Sequence, residues 1–153
     1  SPYLSLFLFL LDTGVRLGEA LSFKKDAIQR LDGKYFIVLY ADETKNNTTR
    51  SVPLTRRCVS MLEKTGDFSH LNYNMAERVW TRLRKDMGLD GDKQFVIHCL
   101  RHTCASRLAQ SGKVELHFIK EWLGHKSYNM TLRYAHLMPK NLLKAVNILE
   151  GYE

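Results

Sequence analysis

The chain has 153 residues, a formal net charge of +7, a pI of about 9.4 and 44% hydrophobic residues. This length suits one domain with a substantial core, and the balance of apolar and charged residues excludes fibrous and disordered classes. The positive charge suits a polyanionic partner, either nucleic acid or an anionic membrane surface, although a basic protein without such a partner has the same composition. Three cysteines cannot all pair, and their spacing favours a reducing, cytoplasmic compartment.

The N-terminal segment YLSLFLFLL is strongly apolar, but it is too short to cross a bilayer and is followed by Asp12. It therefore predicts a buried helix from about Tyr3 to Leu11. Asp12 or Thr13 is expected to cap a second helix over about residues 16–22. Because the chain opens inside an apolar run without a methionine, we expect a further domain upstream.

A β-hairpin is predicted for the region that follows. KYFIVLYAD is rich in β-branched and aromatic residues and predicts a strand over residues 34–42, and RSVPL predicts the returning strand over residues 50–54. Pro53 places that strand at an edge or at its end, because proline donates no hydrogen bond to a sheet. The polar turn ETKNNTT joins the two strands, with Lys45 near its tip.

Helices are predicted for most of the remaining chain. TRRCVSMLEKTG ends at Gly66, and NMAERVWTRLRKDMG runs from Asn74 to Gly88. The apolar stripe expected on the second of these helices, at i+4 spacing, is Met75, Val79, Leu83 and Met87. HCLRHTCASRLAQSG, VELHFIKEWLG, NMTLRYAHLM and NLLKAVNILE complete the helical segments. The pattern predicts a mostly α fold with a small antiparallel β-sheet (α+β), in a single domain over residues 1–153.

Two pairs of residues at helical spacing suggest a phosphate site. Arg16 and Glu19 share a helix face, which fits either a surface ion pair or a Glu19 that orients the guanidinium towards a phosphate. Arginine suits that task because its planar fork donates two parallel hydrogen bonds and stays charged. His98 and Arg101 have the same spacing and can point at one position.

The same stretch offers a metal site as an alternative. His98 and His102 are four residues apart on a helix, and with Cys99 and Cys104 they supply the ligand types of zinc. Cys99 would point away from the histidines, however, and Cys104 falls on the apolar face of the helix. Core packing for Cys104 and a structural role for His102 are therefore favoured over a metal site.

Tyr134 is the candidate nucleophile of the chain. In LGHKSYNMTLRYAH it follows His125 by nine residues. Tyrosine is a poor nucleophile near neutral pH because its hydroxyl titrates near pKa ~10, so it requires neighbours that stabilise negative charge. Tyr128 lies in a polar connector, and the other tyrosines suit strands, packing or the chain end.

These motifs together resemble the tyrosine recombinase (phage integrase) family. The resemblance covers nearly the whole chain, in the order TGVRLGE, TKNNTTRSVPL, HCLRHTCASRLAQSG, LGHKS and TLRYAH. It implies the fold of that family's catalytic domain. Matched residue by residue, it also implies the catalytic positions Arg16, Lys45, His98, Arg101, His125 and Tyr134. Glu19 and His102 occupy supporting positions in the same motifs.

The resemblance implies a mechanism that uses no cofactor. Tyr134 would attack a DNA phosphodiester, form a 3′-phosphotyrosine and expel a 5′-hydroxyl, as in a site-specific recombinase that integrates or excises a phage or mobile element. The two arginines and His125 would stabilise charge on the phosphate oxygens. Lys45 would protonate the leaving oxygen, and His98 would act in proton transfer with the tyrosine. Neither metal nor ATP is needed, because the phosphotyrosine retains the bond energy.

Double-stranded DNA and other recombinase protomers are the partners that the family implies, with a tetramer on DNA and no membrane partner. Basic residues outside the motifs are candidates for DNA-backbone contacts, with a solvated surface as the alternative. These candidates are Arg50, Arg56, Arg57, Arg78, Arg82, Arg84 and Lys85. The family's separate domain that grips the core DNA site is expected upstream, so this chain alone is expected to bind DNA weakly.

Three other functions share some of these features. A type IB topoisomerase uses the same chemistry, but the compact size and the short spacing from LGH to Tyr134 favour a recombinase. A non-catalytic DNA-binding relative is disfavoured by the complete residue set. A zinc-dependent module would be recognised by its bound metal.

The C-terminal tail predicts a short helix after a break at Pro139. An apolar stripe on this helix requires burial, either on its own domain or on a neighbouring protomer. The stripe consists of Leu142, Ala145, Val146 and Leu149.

Overall fold

The computed structural model of the chain describes residues 1–41, 48–140 and 142–152. Its helices are α1 (Pro2–Thr13), α2 (Leu17–Ser22), α3 (Arg56–Thr65), α4 (Tyr73–Asp86), α5 (Cys99–Ser111), α6 (Leu116–Leu123), α7 (Tyr128–Leu132) and α8 (Leu142–Glu150). Its strands are β1 (Ile28–Leu31), β2 (Lys34–Leu39) and β3 (Arg50–Pro53). Short 3₁₀ turns cover Lys25–Ala27 and Ala135–Leu137. The predicted fold class, mostly α with a small antiparallel sheet, is confirmed.

The sheet has three antiparallel strands in the order β1-β2-β3. The predicted hairpin is present as β2 and β3, and Ile37 at its centre lies opposite Val52 on one side and Ile28 on the other. Ile37 and Val52 are fully buried, so this face of the sheet contributes to the core. The predicted tip of the hairpin, including Lys45, lies outside the described residues.

Strand β1 was not predicted, although the sequence contains a signal for it. Asp32 and Gly33 form a two-residue connection between β1 and β2 and have φ values of 50° and 74°. Two consecutive positive φ angles are typical of the hairpin turn that Asp-Gly favours. The dipeptide between two strand-like runs therefore indicates the extra strand.

The larger core forms around α1. Phe9 stacks on Phe23 with ring centroids 5.5 Å apart and contacts Phe68 at 5.2 Å, and all three side chains are fully buried. Leu6 and Leu10 of the same helix are also buried, and α1 packs against α3 and α5. The prediction that the apolar N-terminal run is a buried helix is confirmed.

A second, smaller core joins α5, α6 and the segment after α7. It contains Ala105 and Ala109 of α5, Ile119 and Leu123 of α6, and Tyr134. The two alanines leave room for the tyrosine ring beside α5. This packing fixes where the ring lies relative to the histidines and arginines of the same helix.

The buried face of α4 differs from the predicted stripe. Ala76 and Trp80 are buried, whereas Met75, Leu83 and Met87 are exposed. Trp80 decides the orientation, because it packs edge-on against Phe7 and its Nε1 donates a 3.0 Å hydrogen bond to the Phe95 carbonyl. The helix begins at Tyr73, one residue before the predicted start, and Asn72 is its N-cap. The predicted stripe was therefore wrong for Met75, Leu83 and Met87, whereas Val79 is partly buried and packs against the core.

The start of α2 also differs from the prediction. Arg16 is the N-cap residue, and its backbone N–H donates to Glu19 Oε1 at 2.8 Å. Asp12 does not cap this helix, because its carboxylate accepts a 2.9 Å hydrogen bond from Arg57 Nε. Thr13 is the last residue of α1, and its hydroxyl donates back into that helix.

The C-terminal helix α8 is exposed along its whole length. All nine residues of α8 are exposed, including Leu142 at 78% and Leu149 at 69%. The predicted apolar stripe is therefore not covered by the domain itself. Among the described residues, no helix is long and apolar enough to cross a membrane.

Candidate active site

Five of the six predicted catalytic residues line one cleft of about 460 Å³. Arg16 precedes α2, His98 and Arg101 lie at the start of α5, His125 follows α6, and Tyr134 follows α7. His102, Asn129, Met130 and Arg133 complete the lining of this cleft. Lys45, the sixth predicted residue, lies outside the described residues.

Arg101 is buried and joins the ends of two helices. Its Nη1 donates to the Gly14 carbonyl at 2.6 Å, and its Nη2 donates to the Leu123 carbonyl at 2.7 Å. Carbonyls at helix C-termini lack partners within the helix, so the guanidinium satisfies both. Burial, together with the positive charges of Arg16 and Arg50, lowers the pKa of Arg101 to about 10, which leaves it charged at neutral pH. Three of its five N–H groups remain for another acceptor.

Glu19 binds Arg50 rather than orienting Arg16. The two carboxylate oxygens accept hydrogen bonds from Arg50 Nη1 at 2.6 Å and Nη2 at 2.9 Å, whereas Arg16 Nη1 is 3.9 Å away. Burial raises the pKa of Glu19, but the hydrogen bonds and charge of Arg50 outweigh burial, so the carboxylate is ionised with a pKa below its usual value. Neither of the two roles considered for Glu19, a surface ion pair or the orientation of Arg16, includes this contact, because β3 brings a second arginine closer.

Arg50 is therefore part of the framework around the cleft. Its side chain is 8% exposed, and its Nε also donates to the Trp122 carbonyl at 3.3 Å. A guanidinium held by a buried carboxylate and a carbonyl is not free to follow a DNA backbone. The prediction of Arg50 as a DNA-backbone contact is corrected on these contacts.

Arg16 has an unused donor in the cleft. Within the described residues, its Nη1 is one of two buried side-chain nitrogen or oxygen atoms that have no hydrogen-bond partner. Burial lowers the pKa of Arg16. The negative charge of Glu19 raises this pKa and the positive charge of Arg50 lowers it, and the net change is a decrease. Buried polar groups almost always have partners, so this nitrogen marks a position suited to an anion.

His125 is held by a buried threonine that was not predicted. Its Nδ1 lies 2.6 Å from Thr131 Oγ1, and both side chains are buried. Burial, with the charges of Arg101 and Arg16, lowers the pKa of His125 to about 4, so the ring is neutral near pH 7. With Nδ1 engaged, Nε2 is the ring nitrogen left for a ligand. A threonine in a short helix gave no sequence signal for this role.

The hydroxyl of Tyr134 lies 2.5 Å from Nδ1 of His102. The family resemblance implies proton transfer between the tyrosine and His98, but the residue in hydrogen-bond contact is His102, one turn further along α5. The rings of His98 and His102 meet edge-on at 4.7 Å. Burial raises the pKa of Tyr134 although Arg133 and Arg101 lower it, so the phenol is protonated at neutral pH.

Arg133 is a second cleft residue that sequence reasoning missed. Its guanidinium carbon lies 5.8 Å from the centre of the Tyr134 ring, and its charge lowers the pKa of both His98 and His102. For His98, burial and the neighbouring cationic groups together lower the pKa to about 4. The position of Arg133, directly before the candidate nucleophile, was the available signal.

The remaining basic candidates lie outside the cleft and differ in their contacts. Arg57 forms an ion pair with Asp12, and Arg84 donates to the carbonyls of Asp90 and Asp92, so both side chains already have protein partners. The guanidinium of Arg84 closes the loop after α4. DNA-backbone contacts by Arg57 and Arg84 stay predictions. Exposed side chains belong to Arg56, Arg78, Arg82 and Lys85.

A metal site is not formed by the predicted histidines and cysteines. Across the ranges that the structure describes, no three His, Cys, Asp or Glu side chains are close enough together to hold a metal ion. Cys104 packs against Gly14, where a Cβ would come within 3.0 Å of its sulfur. Its burial in the core agrees with the packing role favoured from the sequence.

Comparison with known proteins identifies the family. The profile described as the phage integrase family matches residues 2–141. The chain belongs to the phage integrase family. This integrase-family chain is 32% identical over 151 residues to the shufflon-specific DNA recombinase of Escherichia coli, covering 93% of this chain and 36% of that protein. It thus spans little more than a third of the length of that relative.

Solved structures of tyrosine recombinases have the same fold. The catalytic domain of bacteriophage HP1 integrase superposes with a TM-score of 0.71 at 32% identity, covering 94% of this chain and 79% of that domain. The XerH site-specific recombinase bound to a palindromic difH substrate gives a TM-score of 0.72 at 26% identity, covering 97% of this chain and 46% of XerH. The family resemblance predicted from the motifs is confirmed, and the family is a class of enzymes that break and rejoin DNA strands.

Proposed function

We propose that this chain is the catalytic domain of a site-specific recombinase, which cleaves and rejoins duplex DNA through a 3′-phosphotyrosine on Tyr134. The observation that supports this most strongly is the cleft itself: a tyrosine hydroxyl lies with Arg16, Arg101 and Arg133 in one site. No carboxylate lines this cleft among the described residues, so its charge suits a phosphodiester.

The first step is attack of Tyr134 Oη on phosphorus, which forms the Oη–P bond and breaks the P–O5′ bond. Negative charge builds on the non-bridging oxygens, where Arg16 Nη1 and the remaining N–H groups of Arg101 can donate hydrogen bonds. His125 donates through Nε2 while Thr131 holds Nδ1. These donors are fixed by the fold before DNA arrives, so little reorganisation is needed in the transition state.

The 5′-oxygen needs a proton as it leaves, and Lys45 is the proposed donor. The phosphotyrosine then stores the energy of the broken bond, so a 5′-hydroxyl can attack it and restore a phosphodiester without ATP. The positive groups of the cleft supply the charge stabilisation, and we propose that the reaction needs neither metal nor other cofactor.

Duplex DNA and further copies of the recombinase are the proposed partners. The net charge of +7 and the DNA-bound XerH relative support the first, and the uncovered apolar face of α8 supports the second. A tetramer in which α8 docks on a neighbouring protomer would bury that face. Similarity to phage HP1 integrase supports integration or excision of a phage or mobile element as the biological role. A cytoplasmic location stays a prediction.

A nicked suicide substrate tests the proposal, because loss of the short fragment traps the covalent adduct. We expect the adduct to map to Tyr134 and to be absent in Tyr134→Phe, which keeps the ring that packs on α5. Tyr128→Phe is the matched control, since this tyrosine is 44% exposed and lies outside the cleft. An adduct that persists in Tyr134→Phe, or that maps to Tyr128, would refute the assignment.

A further inference from the structure

The contact between Tyr134 and His102 gives the nucleophile a specific hydrogen-bond partner. The 2.5 Å separation of Tyr134 Oη and His102 Nδ1 is short for a hydrogen bond of a neutral phenol. Both partners are held in place, since Tyr134 is packed among residues of α5 and α6, and His102 lies on α5 itself. The geometry requirement for a general base, direct reach of the proton to be removed, is met before DNA binds.

We propose that His102 is a catalytic residue that accepts the proton of Tyr134 as the tyrosine attacks phosphorus. This inference rests on the proposed phosphotyrosine chemistry and assigns one proton transfer within it. The Oη–H bond breaks, the proton moves to His102 Nδ1, and the freed electron pair forms the Oη–P bond. The P–O5′ bond then breaks, and the 5′-oxygen takes its proton from the general acid assigned to Lys45. In rejoining, the imidazolium of His102 returns the proton to the departing tyrosine.

The protonation state of His102 suits this role. Burial, with the charges of Arg133 and Arg101, lowers the pKa of His102, so the ring is neutral at neutral pH and Nδ1 can accept a proton. Burial keeps the phenol of Tyr134 protonated at the same pH, so a base is needed to produce the nucleophile. An incoming phosphate would offset part of the positive charge that disfavours the imidazolium, which strengthens the base when substrate is present.

His102 also reaches a second cleft, of about 990 Å³, that can exchange the proton with solvent. Its ring therefore lies between the phosphate cleft and this larger one, with Tyr134 lining both. The other titratable or charged side chains that line the larger cleft are Asp92, His98, Cys99, Arg107, Arg133 and His136. His98 also lines both clefts, but within the described residues the hydrogen bond to the Tyr134 hydroxyl is made by His102.

The tautomer of His102 provides a test that does not depend on cleavage. In ¹⁵N spectra of the full chain without DNA, we expect Nδ1 of His102 to be unprotonated and Nε2 to carry the hydrogen. Tyr134→Phe removes the donor to Nδ1, so the Nδ1 resonance should shift and the pKa of His102 should rise. A His102 that carries its hydrogen on Nδ1, or that does not respond to Tyr134→Phe, would overturn the inference whether or not the chain cleaves DNA.

Kinetics with the suicide substrate test the proton transfer itself. His102→Asn places an amide oxygen close to the position of Nδ1, so it can still accept the hydrogen bond but cannot take the proton. We expect single-turnover cleavage to fall on the order of 10²–10⁴-fold and to lose the rise with pH that follows deprotonation of His102. Imidazole should partly restore cleavage in His102→Ala. The matched control is His117→Asn, because His117 is exposed on α6 and pairs with Glu121 outside both clefts.

The outcomes separate this inference from the proposed function. Cleavage at the wild-type rate and pH profile in His102→Asn would overturn the role of His102 and leave the phosphotyrosine chemistry in place. A wild-type chain that forms no adduct would overturn the proposed function and the proton transfer with it. DNA affinity and thermal melting, measured on each variant, show whether a slow variant is folded and binds its substrate.

Discussion

Two kinds of arginine meet at the cleft, and they differ in what their guanidinium groups bind. Arg50 donates hydrogen bonds to the Glu19 carboxylate and to the Trp122 carbonyl. Arg101 donates two hydrogen bonds to carbonyls at helix ends. Arg16 reaches the same region, and its Nη1 has no hydrogen-bond partner among the described residues, with Glu19 Oε1 3.9 Å away. A guanidinium whose donors are used internally supports the fold, whereas one with donors left over is available to a ligand. Arg101 does both.

The largest effect on stability is expected at Arg50. Arg50→Ala leaves the buried Glu19 carboxylate without its bidentate partner, and breaking such a pair costs about 3–5 kcal/mol of unfolding free energy. Urea unfolding measures this, with Arg82→Ala as the exposed control that should stay within about 0.5 kcal/mol of wild type. If Arg50→Ala folds as stably as the control but binds DNA less tightly, Arg50 is a DNA contact after all.

Substitution of Arg16 is expected to affect DNA cleavage strongly and stability little, the reverse of what is expected for Arg50. Arg16→Ala removes a buried donor that makes no hydrogen bond among the described residues and only a long, 3.9 Å ion pair with Glu19, so the free energy of unfolding should change by less than about 1 kcal/mol. Cleavage of the suicide substrate should nevertheless fall by about 10²–10³-fold, the cost of losing one donor to a developing oxyanion. A destabilisation as large as that of Arg50→Ala would remove the distinction between the two arginines.

Lys45 is expected to differ from the arginines, because it supplies a proton to the leaving oxygen rather than stabilising charge on the phosphate oxygens. Lys45→Ala should slow cleavage by about 10²-fold, at the low end for a general acid. A 5′-bridging phosphorothiolate has a sulfur leaving group that needs little protonation, so it should rescue Lys45→Ala. Arg101→Ala should not be rescued, since this variant loses hydrogen bonds to the non-bridging phosphate oxygens, which the sulfur substitution does not replace. Equal rescue of both variants would mean that the two roles are misassigned.

The smallest effect expected is a pH dependence from the neutral histidines. The folded-state pKa values of His98 and His125 are both about 4, below the usual value of about 6.5. As pH falls through 6.5 the unfolded chain takes up protons first, so stability that is fully present above pH 6.5 is lost between pH 6.5 and 4. Because His98 is exposed and solvent screens its charge, most of the effect is expected from His125, with a total loss of about 1–3 kcal/mol over this range. Sulfate bound in the cleft would favour the charged imidazoles in the folded state, so it should reduce this loss of stability in acid.

His125→Gln tests that dependence in urea unfolding at pH 7.5 and pH 5, with His117→Gln as the control. His125→Gln should be less sensitive to acid than wild type, since the buried one of the neutral cleft histidines is gone. Equal acid sensitivity in both variants would show that His125 does not contribute to the effect.

The sequence predicted the site's residue types better than their contacts. Motif spacing selected Arg16, Arg101, His125 and Tyr134, and the structure gathers them in one cleft. Spacing on a helix could not decide between His98 and His102, because residues four apart share a face. Which of them reaches the tyrosine depends on how α5 packs against the segment after α7, and this is a tertiary property.

The same limit explains the errors about Glu19 and α4. The spacing of three residues suggests that Glu19 pairs with Arg16, but its hydrogen-bond partner is Arg50 of β3, 31 residues away in the chain. The i+4 stripe of α4 is displaced because one large side chain, Trp80, has both packing and hydrogen-bond reasons to face inwards. Thr131 could not be found at all, since a polar residue buried against a histidine has no periodic signal.

The tie that Arg101 makes between Gly14 and Leu123 has a consequence for local opening of the backbone. Helix C-termini usually fray, and their amide hydrogens exchange with solvent without global unfolding. Here the ends of α1 and α6 each accept a hydrogen bond from the same buried guanidinium, so opening either end also breaks a buried hydrogen bond to Arg101. The amide hydrogens of Gly14 and Gly124 should therefore exchange with solvent as slowly as those of the core. The backbone beneath the cleft should then stay closed when substrate binds.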